Sequence, residues 1–207
     1  MNREMFFEKI TMLFTPAERR RIRNAYALAK VVHRFDADDS TQPQLRDSGE
    51  RYFEHCRRTA LILLEYGTKN ANVIIAGFLH DVFEDTYTPP DLVEDAFGEK
   101  LTAALLVLSK QIPTFNEATG DISKEQKSDG AYFAGIATAK RWIRLVKLAD
   151  RLDNLQTIDL DYWNRKRIAR YIKETETLIL PIAKETSADF TEALGRECMR
   201  LQDLLRT

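Results

Sequence analysis

A histidine and three carboxylates crowd together in the run GFLHDVFEDT: His80, Asp81, Glu84 and Asp85. They follow Val73, Ile74, Ile75, Ala76, Phe78 and Leu79, a stretch apolar enough for a buried core helix. On a helix residue i lies beside i+3 and i+4, so one helix over 71–85 stacks His80 on Glu84 and Asp81 on Asp85. Carboxylates at the end of a buried segment cost desolvation unless something positive compensates them. A divalent metal ion is the obvious compensating charge.

The rest of a metal shell is sought among few residues. The 207-residue chain has three histidines, His33, His55 and His80. His55 sits in RYFEHCRRTALILLEYG, an amphipathic helix whose Phe53, Ala60, Leu61 and Leu64 face a core. Asp150 lies in RWIRLVKLADRLDNLQT, directly after Leu145, Val146, Leu148 and Ala149. A His, a His-Asp pair and a distant Asp on three core helices make a mixed nitrogen and oxygen shell. That donor set suits Mn²⁺, Fe²⁺ or Zn²⁺ better than Ca²⁺ and leaves positions open for water. Singly, each member has a plain reading. A His-Asp dipeptide arises by chance, Asp150-Arg151 reads as a surface ion pair worth almost nothing, and His55 as a core histidine bonded to a carbonyl. The ordered set, each member flanked by apolar helix, is what points to metal.

At these residues the chain resembles the HD-domain phosphohydrolases, and within them the hydrolase domain of the Rel/Spo homologue family. Arg46-Asp47-Ser48-Gly49-Glu50-Arg51-Tyr52-Phe53-Glu54-His55 is similar to the family's R-K-S-G-E-P-Y-x-x-H. Gly77 to Thr86 is nearly its G-F-L-H-D-V-V-E-D-T, and Phe97-Gly98 its following F-G. Val146-Lys147-Leu148-Ala149-Asp150-Arg151-Leu152 reproduces V-K-L-A-D-R-L, with Asn154 and Thr157 in the family's N-x-x-T positions. Lys173-Glu174-Thr175 with Pro181-Ile182-Ala183 is similar to R-E-T…P-L-A. The blocks span about 25–183 in the family's order.

The resemblance implies a compact all-α HD-domain helical bundle, with residues 1–207 forming a single domain. It implies hydrolysis of the 3′-pyrophosphate of the alarmones ppGpp and pppGpp, dependent on one metal ion, usually Mn²⁺. His55, His80, Asp81 and Asp150 match the family's metal ligands. Glu84 and Asp85 match its acidic pair, credited with handling the attacking water. Arg46, Ser48, Asn154 and Thr157 match its nucleotide-contacting positions. The chain resembles the stand-alone small alarmone hydrolases, the group that includes the metazoan SpoT homologue. There are departures: Asp47 replaces a usual Lys, Arg51 and Cys56 replace prolines, Asp153 replaces a frequent His, and Gln156 stands where Arg is common. The segment between His33 and Arg46 is longer than the family's and acidic. An intact metal and acid set beside an altered nucleotide pocket leaves other readings open. They are an adenine alarmone or the 2′-phosphate of NADPH as substrate, or a non-catalytic nucleotide sensor or antitoxin-like binding protein.

Composition narrows the class. Hydrophobic residues make up 44% and charged residues 30%, ordinary values for a globular domain. The formal net charge is −1, and no long basic block exists to track phosphates, so nucleic acid is not an expected partner. No apolar run reaches the roughly 18–20 residues of a membrane span, and the N-terminus lacks a signal-peptide pattern. Cys56 and Cys198 do not suggest a disulfide framework. The expectation is a cytoplasmic enzyme acting on a small nucleotide; oligomeric state is not readable.

The elements that must position these groups read as helix nearly throughout. Thr15-Pro16 with Glu18 starts a helix ending near His33. Others are expected near 51–66, 71–85, 89–97, 99–110, 141–157, 161–185 and 187–205, with Pro181 kinking its helix. Alternating strand-like runs are missing. Segments 35–50 and 111–130 read as long loops, the second equally a mobile excursion or a substrate lid. Lys124 and Lys127 read as a solvated pair, and Arg165-Lys166-Arg167 as a wet surface. His33 reads as a helix-end histidine near the C-terminal dipole, outside the site.

Overall fold

The computed structural model describes residues 3–116 and 118–206. Its centre is the packing of α3 (Tyr52–Glu65) beside α4 (Ala71–Leu79), with α9 (Arg141–Gln156) laid against both. The reason α3 and α4 approach so closely is Gly77. A Cβ there would stand 2.8 Å from Leu63 Cδ1 and 3.0 Å from the Ala60 Cα, so only hydrogen fits. Around this pair, α1 (Arg3–Leu13) and α2 (Pro16–Val32) close one side. Phe6 and Tyr26 meet Phe78 edge-on, each at 5.6 Å, and Tyr26 meets Phe53 at 5.1 Å, a geometry that aligns ring edges with ring faces. Phe6 is therefore core.

Helix starts follow the local chemistry. At α2 the Thr15 hydroxyl accepts the Glu18 N–H while the Glu18 carboxylate accepts the Thr15 N–H, the reciprocal capping box. After α4 come α5 (Val82–Asp85), α6 (Pro90–Phe97) and α7 (Glu99–Leu108), the last two hinged at Gly98, whose φ is 91°. Then β1 (Gln111–Phe115) and β2 (Ile122–Gln126) pair antiparallel, with Gln111 opposite Gln126 and Phe115 opposite Ile122. α8 (Asp129–Thr138) leads into α9, and α10 (Arg165–Glu174), α11 (Leu180–Lys184) and α12 (Ala188–Arg206) back it.

The all-α expectation holds, with three local departures. Residues 111–126 are a hairpin rather than a loop, and α8 follows it unannounced. The helix expected over 71–85 is broken: α4 stops at Leu79, Asp81 turns at φ −99° and ψ 4°, and its carbonyl accepts both the Glu84 and Asp85 N–H groups. The helix expected over 161–185 contains a π-helical turn, Thr175–Ile179, just before Pro181. Proline has no N–H for the ladder, and the looser turn absorbs the mismatch. Cys56 and Cys198 are free and buried. Among the described residues no helix is long and apolar enough to cross a membrane.

Candidate metal centre and nucleotide cavity

His55 lies in the first turn of α3, His80 caps α4, Asp81 sits in the break after it, and Asp150 is on α9. The close packing of those helices brings all four to one point. His55 Nε2 is 3.1 Å from His80 Nε2, 3.3 Å from Asp150 Oδ1 and 3.4 Å from Asp81 Oδ2. His80 Nε2 is 3.0 Å from Asp81 Oδ2 and 3.6 Å from Asp150 Oδ1. Ligand atoms about 2.1 Å from a common ion stand roughly 3.0–3.5 Å apart in octahedral or tetrahedral arrangement. The cluster has that spacing. Within it, His55, His80 and Asp150 offer atoms all within 4.8 Å of one another.

The outer ring nitrogens decide what the inner ones can do. His55 Nδ1 lies 2.6 Å from Asp153 Oδ2, and His80 Nδ1 lies 2.9 Å from the Gly77 carbonyl. Both partners are acceptors, so both Nδ1 atoms donate, and in the neutral rings both Nε2 atoms are bare lone pairs facing two carboxylates. Such a convergence is costly in a buried site unless a cation fills it. Protonation is the alternative. Burial alone lowers the pKa of His55, but hydrogen bonds to Asp150, Asp153 and Asp81 outweigh it and push it up to about 9. The same contest, with Asp81 foremost among the anions, lifts His80 well above its ordinary value. Lys147 donates to Asp150 Oδ2 at 2.7 Å and, against the cost of burial, holds that carboxyl well below its usual range.

Glu84 and Asp85 border this centre. Burial and the Asp81 charge raise both, Asp85 to about 7, while the Lys110 N–H donated to Glu84 Oε2 at 2.8 Å opposes the rise there. Tyr52 stands between the centre and the pair, its hydroxyl 2.7 Å from Asp81 Oδ2 and 2.5 Å from Asp85 Oδ2. One phenolic proton cannot serve two carboxylates at once, and the raised Asp85 is the one of the two able to take up a second proton. Lys124 Nζ donates to the Glu84 carbonyl at 2.9 Å, and Lys127 Nζ to the Leu106 and Ser109 carbonyls at the end of α7. Neither lysine is the freely solvated charge the sequence suggests; both pin the hairpin to the acidic pair's surroundings.

Arg46, Ser48, Asn154 and Thr157 line one cavity of about 280 Å³, with Tyr52 at its inner end. Asn154 couples it to the metal centre: its amide donates to Asp150 Oδ1 at 2.7 Å and its oxygen accepts from Arg46 Nη2 at 2.7 Å. Arg46 Nη1 is buried without a hydrogen-bond partner and lies 3.5 Å from Asp153 Oδ2, so the guanidinium is ion-paired to the carboxylate that holds His55. The Thr157 hydroxyl already donates to the Asp153 carbonyl at 2.8 Å, so only its lone pairs face the cavity. Asp150 and Arg151 are no surface pair. Arg151 is buried, bonded to Glu174 at 2.5 Å and to Thr175 at 3.2 Å, so it ties α9 to the π turn. His33 ends α2 as expected, yet it is buried, bonded through Nδ1 to Gln44 Oε1 at 2.9 Å and stacked on Tyr52.

The HD domain family model matches residues 25–186. The chain belongs to the HD-domain family. This HD-domain chain is 38% identical over 149 residues to a probable guanosine-3′,5′-bis(diphosphate) 3′-pyrophosphohydrolase of Synechocystis sp., covering 71% of the chain and 19% of that protein. It is 30% identical over 169 residues to a probable chloroplastic GTP diphosphokinase of Oryza sativa subsp. japonica, covering 80% and 23% respectively. It spans about a fifth to a quarter of the length of these curated relatives. A solved metazoan orthologue of SpoT, reported to hydrolyse ppGpp and to act in starvation responses, superposes with a TM-score of 0.69 at 22% identity, covering 87% of this chain and 94% of that one. That likeness establishes a shared fold.

Asp153 and Tyr52 are the residues hydrogen-bonded into this cluster that sequence reasoning did not single out. Asp153 had one available signal, its place one turn from Asp150 on a helix too apolar to be superficial.

Proposed function

We propose that this HD-domain chain is a metal-dependent hydrolase that removes the 3′-pyrophosphate of ppGpp and pppGpp, leaving GDP or GTP. The observation that carries the reading is the convergence of two imidazole lone pairs and two carboxylates beside a raised acidic pair, with a nucleotide-sized cavity one residue away. The curated relatives' names support the substrate class. His55, His80, Asp81 and Asp150 would hold the ion, Mn²⁺ by the donor set and the family resemblance, with Fe²⁺ and Zn²⁺ as chemically allowed substitutes. A divalent cation in such a site polarises phosphate and brings the pKa of water from about 15.7 down towards about 7.

The chain's own groups do the rest. Glu84 and Asp85 take the proton from the attacking water and return one to the ribose 3′-oxygen as its bond to phosphorus breaks. Burial and the Asp81 charge hold both carboxyls above the ordinary carboxylate range while a bound cation would draw them back, a balance that favours proton exchange near neutral pH. Arg46 supplies the guanidinium charge to a phosphate or ribose oxygen, while Ser48, Thr157 and Asn154 position the nucleoside.

The test is to load the protein with Mn²⁺ and incubate it separately with ppGpp, ppApp, GTP and NADPH, resolving products by chromatography. Pyrophosphate release from ppGpp is expected. Glu84→Gln should keep its metal and lose about 100-fold in turnover; full activity in that variant refutes the acid–base assignment.

A further inference from the structure

The proposed chemistry leaves one buried histidine without a role. His33 is 2% exposed and lies face to face with Tyr52, the ring centres 5.0 Å apart. Burial pulls its pKa down to about 4, so the ring is neutral near pH 7 and carries one N–H. Which nitrogen carries it follows from Gln44. The Gln44 amide nitrogen donates to the Asp85 carbonyl at 3.1 Å, so its oxygen is the atom that meets His33 Nδ1 at 2.9 Å. That oxygen only accepts, so Nδ1 donates and Nε2 is a bare lone pair, buried with no partner. A phenylalanine would stack on Tyr52 as well without burying that lone pair. What the imidazole adds is the Nδ1 donor.

The far end of these bonds is the acidic pair. α5 is a single turn that follows the break at Asp81 and ends with Asp85. A helix that short does not hold itself, and its last carbonyls have no partner within it. Two side chains take them: Lys124 bonds the Glu84 carbonyl, and Gln44 bonds that of Asp85. Lys124 reaches in from the hairpin, whereas Gln44 is itself buried. With its oxygen held by the His33 N–H, the Gln44 amide is fixed with its NH₂ towards Asp85. We propose that His33 is a positioning residue for Asp85, acting through the Gln44 amide to hold the acidic turn beside the metal centre. The inference rests on the proposed reaction for the part Asp85 plays in proton transfer, and not for the bonds that place it.

Three variants test this, each Mn²⁺-loaded and checked for folding by circular dichroism. His33→Phe keeps a ring on Tyr52 but has no donor, Gln44→Met keeps nearly the same shape without the amide, and the third carries both changes. Hydrogen exchange of the 82–86 amides is followed by mass spectrometry, and steady-state kinetics are measured on ppGpp. Each single variant should speed exchange over 82–86 and lower kcat by about tenfold, the scale of one lost hydrogen bond. KM and the Mn²⁺ Kd should stay within about twofold of wild type, as expected where only the acid–base group is displaced. The double variant should be no worse than either single one, because both changes break the same series of bonds. If His33→Phe does not fold, Gln44→Met carries the test alone through its exchange and its kcat. Unchanged exchange or unchanged kcat in a folded variant, a loss that appears in KM instead, or effects that multiply in the double variant overturns the proposal. A wild type inert towards ppGpp sinks the proposed reaction alone, since exchange reads the tether without turnover.

Discussion

Changing Asp153 to Asn should weaken the metal site without touching a ligand. In the structure Asp153 is buried, with Oδ2 2.6 Å from His55 Nδ1 and Oδ1 2.6 Å from Arg58 Nε. Both neighbours donate, and a carboxylate satisfies both. The amide of Asn cannot. With its NH₂ towards Arg58, two donors face each other. With its NH₂ towards His55, the ring must take the other tautomer and place its proton on Nε2, where the lone pair for the metal was. Either way one charge-assisted hydrogen bond is lost, worth about 1.5–3 kcal/mol. At about 1.4 kcal/mol per tenfold, that is a loss of roughly 10–150-fold in affinity, in line with the 10–100-fold usual for partners of metal-bound histidines. Competition against a fluorescent chelator measures the Mn²⁺ Kd. A variant that folds, by circular dichroism, and binds Mn²⁺ as tightly as wild type would show that the His55 tautomer is not set by Asp153, and the lone-pair argument would fail with it.

Three other outcomes are expected. Tyr52→Phe removes the hydroxyl between Asp81 and Asp85 and should lower kcat by about tenfold or more with Mn²⁺ content unchanged, read by elemental analysis beside steady-state kinetics. Gly77→Ala forces a methyl against the Ala60 backbone and should lower stability by about 1–3 kcal/mol and metal affinity together, measured by urea unfolding and Mn²⁺ titration. In metal-free protein His55 titrates near 9 and Asp85 near 7, above their unfolded values of about 6.5 and about 3.9. Raised groups stabilise below the unfolded pKa and lose that contribution as pH climbs through the folded one, so the metal-free Tm should fall from pH ~3.9 to ~7 through Asp85 and from ~6.5 to ~9 through His55. Mn²⁺ competes with those protons, and the Tm increase it produces should grow over the same range, as differential scanning fluorimetry would record.

Much of this is legible in the amino-acid sequence. Apolar helices around His55, His80 and Asp150 announced burial, and buried polar groups in an ordered set announced a shared partner. Thr15, Pro16 and Glu18 wrote the start of α2 in local chemistry. What stayed hidden depends on tertiary contact. The break at His80–Asp81 arises because the His80 ring takes the Gly77 carbonyl and Asp81 turns towards the cluster, events that no helical period encodes. The hairpin strands are short and mostly exposed, so β1 and β2 lack the alternation that marks a half-buried strand. α8, DGAYFAGIAT, carries two glycines and no sharp apolar stripe. Asp153 reads as one more charge in DRLDN until α3 supplies its two donors.

The stretch between His33 and Gln44 has a further meaning. Its two ends are clamped to each other by the ring-to-amide bond, and Phe35 bridges Pro43 just inside them. The excursion so fastened leans back over the acidic pair: Asp36 and Asp38 line a cavity with Glu84, Asp85 and Lys124, and Asp38 accepts the Tyr87 hydroxyl at 2.8 Å. A change in the length or charge of this acidic excursion would therefore reach the carboxylates beneath it, which ties the rim of the molecule to its interior.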